Sequence, residues 1–309
     1  MPFKRPARRS RRVAVRFPAA VAALLLLAPA LAPSSAAAQQ AGDDVEGDAA
    51  GTWLPDRTSF APLLAAPREV ALRGSLILAD RPDLPADFEG RNLEAEVALG
   101  HRFGVVRLQR GGEDRPEITL GFEVGVFNRF HLETPERDLI GADYRVGLPL
   151  SLRGAGWEGR LTPLHVSSHI GDDFLARFAA PGSGQFTRDG VELVAARSFG
   201  GVRAYGSGAW NFHVNEGVPE VEGAFGLEWD PGPSDASTTG FAAWPFAAVD
   251  LRVTDRTRGP GSTGVAGATL RVRGTLLRLE LRGHAGPTPL GQLRGTDETF
   301  LGLGLRVEP

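Results

Sequence analysis

Residues 117–130 read EITLGFEVGVFNRF, and this stretch decides the fold. Every second residue in its first ten is apolar: Ile118, Leu120, Phe122, Val124 and Val126. The residues between them are polar or glycine: Glu117, Thr119, Gly121, Glu123 and Gly125. Successive side chains of a β-strand point to opposite faces, so this segment is predicted to be a strand between an apolar and a polar medium.

The same alternation recurs along the rest of the chain. The strands predicted from it span residues 69–79, 92–109, 117–130, 142–153, 157–170, 188–199, 201–214, 219–230, 244–255, 262–273, 276–285 and 297–307. A soluble sandwich also alternates, but strands in globular proteins average about five or six residues, and these are longer. Charges of both signs at mid-strand suit a barrel whose apolar face meets lipid. The sequence therefore predicts an all-β fold, an antiparallel transmembrane (outer-membrane) β-barrel of about 12 strands.

The connections between these strands sort into two kinds. Tight turns are predicted at Gly154-Ala155-Gly156, Gly200-Gly201 and Arg273-Gly274-Thr275, all at one end of the barrel. The long connections 131–141, 171–187 and 286–296 fall at the other end, which is the asymmetry of bacterial barrels with an even strand number. A turn at Gly100-His101-Arg102 would split 92–109 and give thirteen strands, which is the less favoured alternative.

The N-terminal 38 residues predict an export signal. A basic stretch, an apolar run from Val21 to Leu31 and the small residues Ala36-Ala37-Ala38 follow one another, with cleavage expected after Ala38. Residues 39–68 are expected to be a periplasmic lead-in, and 69–309 the barrel. Removing the signal takes away seven basic residues and no acidic one, so the net charge changes from −3 to −10. Such an acidic chain argues against nucleic-acid binding.

The predicted interior is densely charged. Its residues are Glu94, Glu96, Glu123, Arg145, Arg153, Arg203, Glu222, Glu228, Asp250, Arg252, Arg271, Arg278, Glu280 and Arg282. Paired arginines and carboxylates would cross-link the walls into a sealed barrel, and a narrow charge-lined channel is the alternative. No zinc-ligand spacing is present, the chain has no cysteine, and we expect neither a metal nor a cofactor.

The densest polar constellation is residues 164–174, LHVSSHIGDDF. Period two places His165, Ser167 and His169 on one face, and a histidine two residues before a serine can activate its hydroxyl as a nucleophile. These three are the candidate catalytic residues. Asp172 and Asp173, and also Asn211 and His213, are candidates for a third, orienting group. The alternative is a polar network at the rim that anchors the 171–187 loop.

Which face these residues occupy is open from sequence. The apolar Leu164, Val166 and Ile170 would turn the histidines inward. Pairing across the 154–156 turn instead matches Leu150 with Leu161 and Val146 with His165, which turns His165 and Ser167 toward lipid. A bulge near Pro163 would restore the inward orientation.

Two resemblances to known proteins follow from these residues. The His165-x-Ser167 spacing resembles that of outer-membrane phospholipase A and of lipid A deacylases, which work at the lipid-facing wall. Over most of the mature chain the sequence is similar to an uncharacterised family, domain of unknown function 1207, of Gram-negative outer-membrane β-barrel proteins. The strings that carry this likeness are 53–55 (WLP), 60–69 (FAPLLAAPRE), 143–150 (DYRVGLPL) and 165–174 (HVSSHIGDDF). The family implies an outer-membrane location and no established activity.

The sequence thus predicts a barrel in the cell outer membrane with a structural or envelope-interaction role. The alternatives are a lipid-acting serine hydrolase, with Ser167 as nucleophile and His165 as base, and a narrow channel. The expected partners are outer-membrane lipid and lipopolysaccharide. Residues Phe60–Glu69 are expected either to plug the barrel or to dock a periplasmic protein.

Overall fold

The computed structural model describes residues 51–308, except 56, 83–91, 110–115, 179–185, 216, 234–240, 256–258 and 273. The predicted signal peptide, 1–38, and residues 39–50 of the lead-in lie outside the described residues, as does Arg273 of one predicted turn. Within the described ranges, no helix is both long enough and apolar enough to cross a membrane.

Long antiparallel strands make up most of the described chain. They are β1 Gly51–Trp53, β2 Leu72–Asp80, β3 Leu93–Gln109, β4 Glu117–His131, β5 Leu139–Gly147, β6 Leu150–Gly154, β7 Trp157–Ile170, β8 Phe186–Phe199, β9 Val202–Val214, β10 Val221–Trp229, β11 Phe241–Thr254, β12 Gly261–Val272, β13 Thr275–Pro287 and β14 Asp297–Glu308. A short helix α1, Asp172–Phe178, follows β7, and a 3-10 turn occupies Gly291–Leu293.

The strands close into a barrel of twelve. Each pairs with its neighbours in the chain, and β14 returns to pair with β2, from Thr299↔Asp80 to Val307↔Leu72. β5 and β6 form one barrel strand, interrupted at Leu148–Pro149, because both pair with β4 on one side and β7 on the other. β1 adds only three residues to the edge of β3. The predicted twelve-strand barrel is confirmed, and β3 runs unbroken through Gly100–Arg102, so the thirteen-strand alternative is not realised.

The turns and loops named from the sequence lie at the ends predicted for them, although the connections that follow β3 and β10 are longer and fall at the end of the tight turns. The tight connections that contain Gly156, Gly200 and Gly274 share one end, here termed the turn end, with both ends of the described chain. Left-handed backbone at Ala155, Gly156, Gly200 and Gly274 makes these turns. The connections 132–138, 171–185 and 288–296 lie at the opposite, loop end.

The outer wall is apolar and the interior is polar. On β4, Ile118, Leu120 and Phe122 are exposed on the outer face, whereas Glu123 and Arg129 are fully buried inside. The interior charges pair: Arg129 contacts Glu94 and Glu96 at 3.0 and 2.7 Å. Alternation therefore places apolar side chains where lipid would be and ion pairs where they cross-link the strands.

The N-terminal segment fills the interior. Residues 58–71, here termed the plug, run inside the barrel, and Phe60, Leu63 and Leu64 are at most 4% exposed. Phe60 and Leu63 pack against β8 and β9, and Leu64 packs against β11 and β12. Polar contacts reach the plug from several strands.

The plug is tied to the wall through its backbone as well as its side chains. The backbone N–H of Leu64 donates to Glu228 at 2.6 Å, and Arg306 donates to the carbonyl of Leu63 at 3.0 Å. Glu69 accepts from Arg102 and Arg160, both at 3.0 Å. Residues Phe60–Glu69 thus plug the barrel, whereas Trp53 and Leu54, which precede the plug, are exposed.

The loop end is covered from inside. Ile140 of β5 and Phe174 of α1 form a buried cluster with Leu290 and Leu293 of the 288–296 connection. Ser168 of β7 donates to Asp143 and accepts from the backbone N–H of Gln292 at 3.1 Å. Together these contacts hold the connection down over the plugged barrel.

Candidate functional site

The histidines and the serine of the 164–174 segment lie on the outer face of β7. Leu164, Val166 and Ser168 are buried inside the barrel, so the alternate residues His165, Ser167 and His169 point outward. The predicted pairs Leu150↔Leu161 and Val146↔His165 are both formed. Pro163 keeps regular register with Val191, so the bulge that would have turned His165 and Ser167 inward is absent from β7.

The acid beside His165 is Asp189 of β8. The two residues are direct cross-strand partners, and His165 Nδ1 lies 2.7 Å from Asp189 Oδ1. The second carboxylate oxygen, Oδ2, lies 2.8 Å from Nδ1 of His213 on β9. One aspartate therefore sits between two histidines on the outer wall, where it orients both rings.

The position of the cluster along the wall follows from strand geometry. His165 is eight residues beyond Trp157, which marks the turn end of β7. At about 3.3 Å per residue and a tilt of about 40°, this is a rise of about 20 Å along the barrel axis. The apolar band of such barrels is about 25 Å tall, so Ser167 lies near its upper edge at the loop end.

Exposed aromatic residues border the cluster. Trp210 pairs with Val191, one row below the row of His165, Asp189 and His213. Its side chain is 61% exposed, and Phe212 beside it is 58% exposed. Tryptophan and other aromatics gather where hydrocarbon meets headgroups, so this row marks the edge of the apolar band.

The arrangement has the chemistry of a nucleophile with its base. With hydrogen on Nδ1 held by Asp189, His165 presents Nε2 as its basic nitrogen. Ser167 is two residues further along the same face, so its Cα lies about 6.7 Å from that of His165. The imidazole of His165 and the hydroxyl of Ser167 can together span that distance. We term Ser167, His165 and Asp189 the wall site.

The other predicted site residues lie elsewhere. Asp172 and Asp173 are exposed in the first turn of α1, where carboxylates favour a helix start, and the carboxylate in contact with His165 is that of Asp189. Asn211 is buried and donates to the carbonyl of Pro219 at 2.9 Å. His169 points outward, with its ring 5.8 Å from that of Tyr144.

Sequence reasoning missed Asp189, although a signal was available. Asp189 shares parity with the apolar Val191 and Leu193, so it is a carboxylate next to the apolar part of its strand's outer face. Among the described residues, no three histidine, cysteine, aspartate or glutamate side chains are grouped so that they could hold a metal ion. Ser168, on the inner face of β7, makes polar contacts at the loop end, and these hold the 288–296 connection rather than the 171–187 loop of the sequence-based alternative.

Solved structures with a similar fold are outer-membrane barrels. Outer membrane phospholipase A from Escherichia coli aligns with a TM-score of 0.53 at 16% identity, over 76% of this chain and 90% of that one. An outer membrane phospholipase dimer with bound calcium from Salmonella typhi aligns with a TM-score of 0.52 at 15% identity, over 76% and 90%. At these identities the likeness establishes the fold alone.

Sequence comparison establishes the family. No curated protein matches the chain. A family model described as "Protein of unknown function (DUF1207)" matches residues 29–308, as the sequence resemblance predicted, and the chain therefore belongs to this family.

Proposed function

We propose that this protein is an ester hydrolase of the outer membrane that acts on acylated lipids from the outer wall of its barrel. Ser167 is the nucleophile, His165 the general base, and Asp189 the group that orients His165. The observation that carries the proposal is the 2.7 Å contact between Asp189 Oδ1 and His165 Nδ1, on the same face as Ser167. That contact supplies the third group of the nucleophile, base and orienter arrangement.

Each residue has a defined task in the reaction. His165 Nε2 takes the proton as Ser167 Oγ attacks the ester carbonyl carbon, and the imidazolium that forms is stabilised by the Asp189 carboxylate. His165 then returns the proton to the departing alcohol. Water hydrolyses the acyl-serine by the same steps, releasing a fatty acid.

The depth of the wall site selects the substrate. Acyl esters of membrane lipids lie where hydrocarbon meets headgroups, and Ser167 lies near the upper edge of the apolar band, two rows nearer the loop end than Trp210. In an outer-membrane orientation the loop end faces outward, so the esters within reach belong to the outer leaflet. Phospholipid and the lipid A of lipopolysaccharide, the partners predicted from sequence, both offer such esters.

The filled interior indicates that the functional surface is the outer wall of the barrel and not its lumen. The plug and its ion pairs occupy the interior, which disfavours the channel reading. A barrel of the same fold is named a phospholipase, and this analogy of fold adds modest support.

The test is release of fatty acid by the purified full-length barrel. Mixed micelles of detergent with phosphatidylethanolamine, and separately with lipid A, are the two substrates, and they distinguish the two ester sources. We expect hydrolysis that Ser167→Ala abolishes. Ser168→Ala is the matched control, because the neighbouring serine points inward and should leave the hydrolysis in place.

A second measurement does not depend on the choice of lipid. A long-chain fluorophosphonate should label the protein once, at Ser167, and labelling should be lost in both Ser167→Ala and His165→Ala. If neither substrate is cleaved and the probe labels wild type no more than Ser167→Ala, the wall site is not a hydrolase.

A further inference from the structure

We propose that Thr187 of β8 stabilises the oxyanion of this reaction, donating its side-chain hydroxyl to the substrate carbonyl oxygen as Ser167 attacks. The inference deepens the proposed hydrolase function and rests on it. Attack on an ester moves negative charge onto the carbonyl oxygen, and catalysis needs a donor aimed at that oxygen. In a barrel wall the backbone N–H groups are already hydrogen-bonded to neighbouring strands, so a side chain has to supply this donor.

Thr187 is the direct partner of Ser167 across the β7–β8 pair. It is two residues from Asp189 on the same strand, so Thr187 and Asp189 share the outer face with Ser167 and His165. The wall site and Thr187 thus form a square of two adjacent cross-strand pairs. Ser167 and Thr187 occupy its upper side, toward the loop end.

The backbone makes the Ser167–Thr187 pair a close one. The carbonyl of Thr187 accepts from the N–H of Asn215 at 3.2 Å, on the side away from β7. In an antiparallel strand the N–H and C=O of one residue point the same way, so Ser167 and Thr187 exchange no backbone hydrogen bond. Pairs of this kind have Cα atoms about 4.5 Å apart and side chains closer than in the alternate pairs.

The other cross-strand partner of Ser167 is less well placed. Tyr144 of β5 faces Ser167 from the opposite side. The backbone N–H and C=O of Ser167 point away from β8 and therefore toward β5. The Ser167–Tyr144 pair is thus a hydrogen-bonded pair, in which the Cα atoms are about 5.5 Å apart. The Tyr144 hydroxyl is also carried at the far end of a ring that packs edge-on against His169. A threonine hydroxyl, one bond from Cβ, matches the reach of the serine it must assist.

The proposed step balances without any further reactant. The Ser167 Oγ–C bond forms as the Oγ proton passes to His165 Nε2, and the carbonyl π electrons become a lone pair on oxygen. The Thr187 O–H donates to that oxygen while it carries the charge. When the carbonyl reforms, the C–O bond to the alcohol breaks and the alcohol takes the proton from His165.

The experiment compares kcat and KM on phosphatidylethanolamine micelles for wild type, Thr187→Val, Thr187→Ser and Tyr144→Phe. Valine has the shape of threonine without the hydroxyl. A donor used only in the transition state predicts that kcat falls about 100-fold in Thr187→Val while KM changes little. Thr187→Ser should keep most of the rate, and Tyr144→Phe should behave like wild type. Thr187→Ala is the second variant, in case valine disturbs insertion.

The outcomes distinguish a failure of the Thr187 inference from a failure of the proposed hydrolase function. Wild-type kcat in Thr187→Val, with Ser167→Ala inactive, overturns the role of Thr187 and leaves the hydrolase standing. A rise in KM alone would make Thr187 a substrate contact and likewise overturn it. If no hydrolysis depends on Ser167, the function and this inference fall together.

Discussion

Replacing Glu69 by alanine should destabilise the barrel through its plug. Glu69 is 4% exposed inside the barrel, where one carboxylate oxygen accepts from both Arg102 and Arg160 at 3.0 Å. Alanine removes the carboxylate and leaves both guanidinium groups in place. None of the barrel strands is altered, so any loss of stability reports on the seating of the plug.

The size of the effect depends on the carboxylate partners that Arg102 and Arg160 retain when Glu69 is removed. Removing one partner of a buried ion pair costs about 3–5 kcal/mol, because the other charge stays buried without it. Here Arg102 retains Glu123 at 2.9 Å and Arg160 retains Glu192 at 3.2 Å. The loss should therefore lie near the lower bound, about 3 kcal/mol, or about a hundredfold in the unfolding equilibrium.

The assay is reversible urea unfolding of the full-length protein in lipid vesicles, followed by tryptophan fluorescence. The control is Glu136→Ala, which removes an exposed carboxylate paired with Arg177 at the loop end and should leave the urea midpoint unchanged. An unchanged midpoint in Glu69→Ala would refute the reasoning, since it would mean that the carboxylate is not paired inside the barrel.

Three further outcomes are expected. Phe60→Ala should cost about 3–5 kcal/mol in the same unfolding assay, because the ring is 1% exposed and contacts the guanidinium groups of Arg160 and Arg203. Ser168→Ala should speed hydrogen exchange in residues 288–296, with mass spectrometry as readout, while fluorophosphonate labelling of Ser167 is unaffected. Gly267→Ala should impair folding into vesicles, because the new Cβ would clash with the backbone carbonyl of Leu279; Gly208→Ala meets open space and should fold normally, and equal folding of the two would contradict the strand register.

The barrel itself could be read from the sequence because its physical cause is local. Side-chain alternation of period two needs no knowledge of the rest of the chain, and it placed every barrel strand to within a few residues. The pairing of Val146 with His165 was also predictable, because a short turn at 154–156 sets the register of the strands it joins. That register turns Ser167 outward, but the face stayed open from sequence because a bulge near Pro163 would have reversed it.

The plug was only half predictable. Phe60, Leu63 and Leu64 in a polar lead-in indicate a segment that must bury apolar surface, yet a lumen and a partner protein would satisfy that need equally well. The choice depends on groups that come together only when the barrel closes. Glu228 and Arg306, which hold the backbone of Leu64 and Leu63, lie more than 160 residues further along the chain.

The wall site shows the same division between local and tertiary information. The sequence by itself determined that His165 and Ser167 share a face, because both stand on one strand. Asp189 lies 24 residues beyond His165, across a long connection whose length does not set the register of β7 against β8. Only the tertiary structure decided that Asp189 stands opposite His165, since cross-strand pairing between distant segments is settled by the closure of the whole barrel.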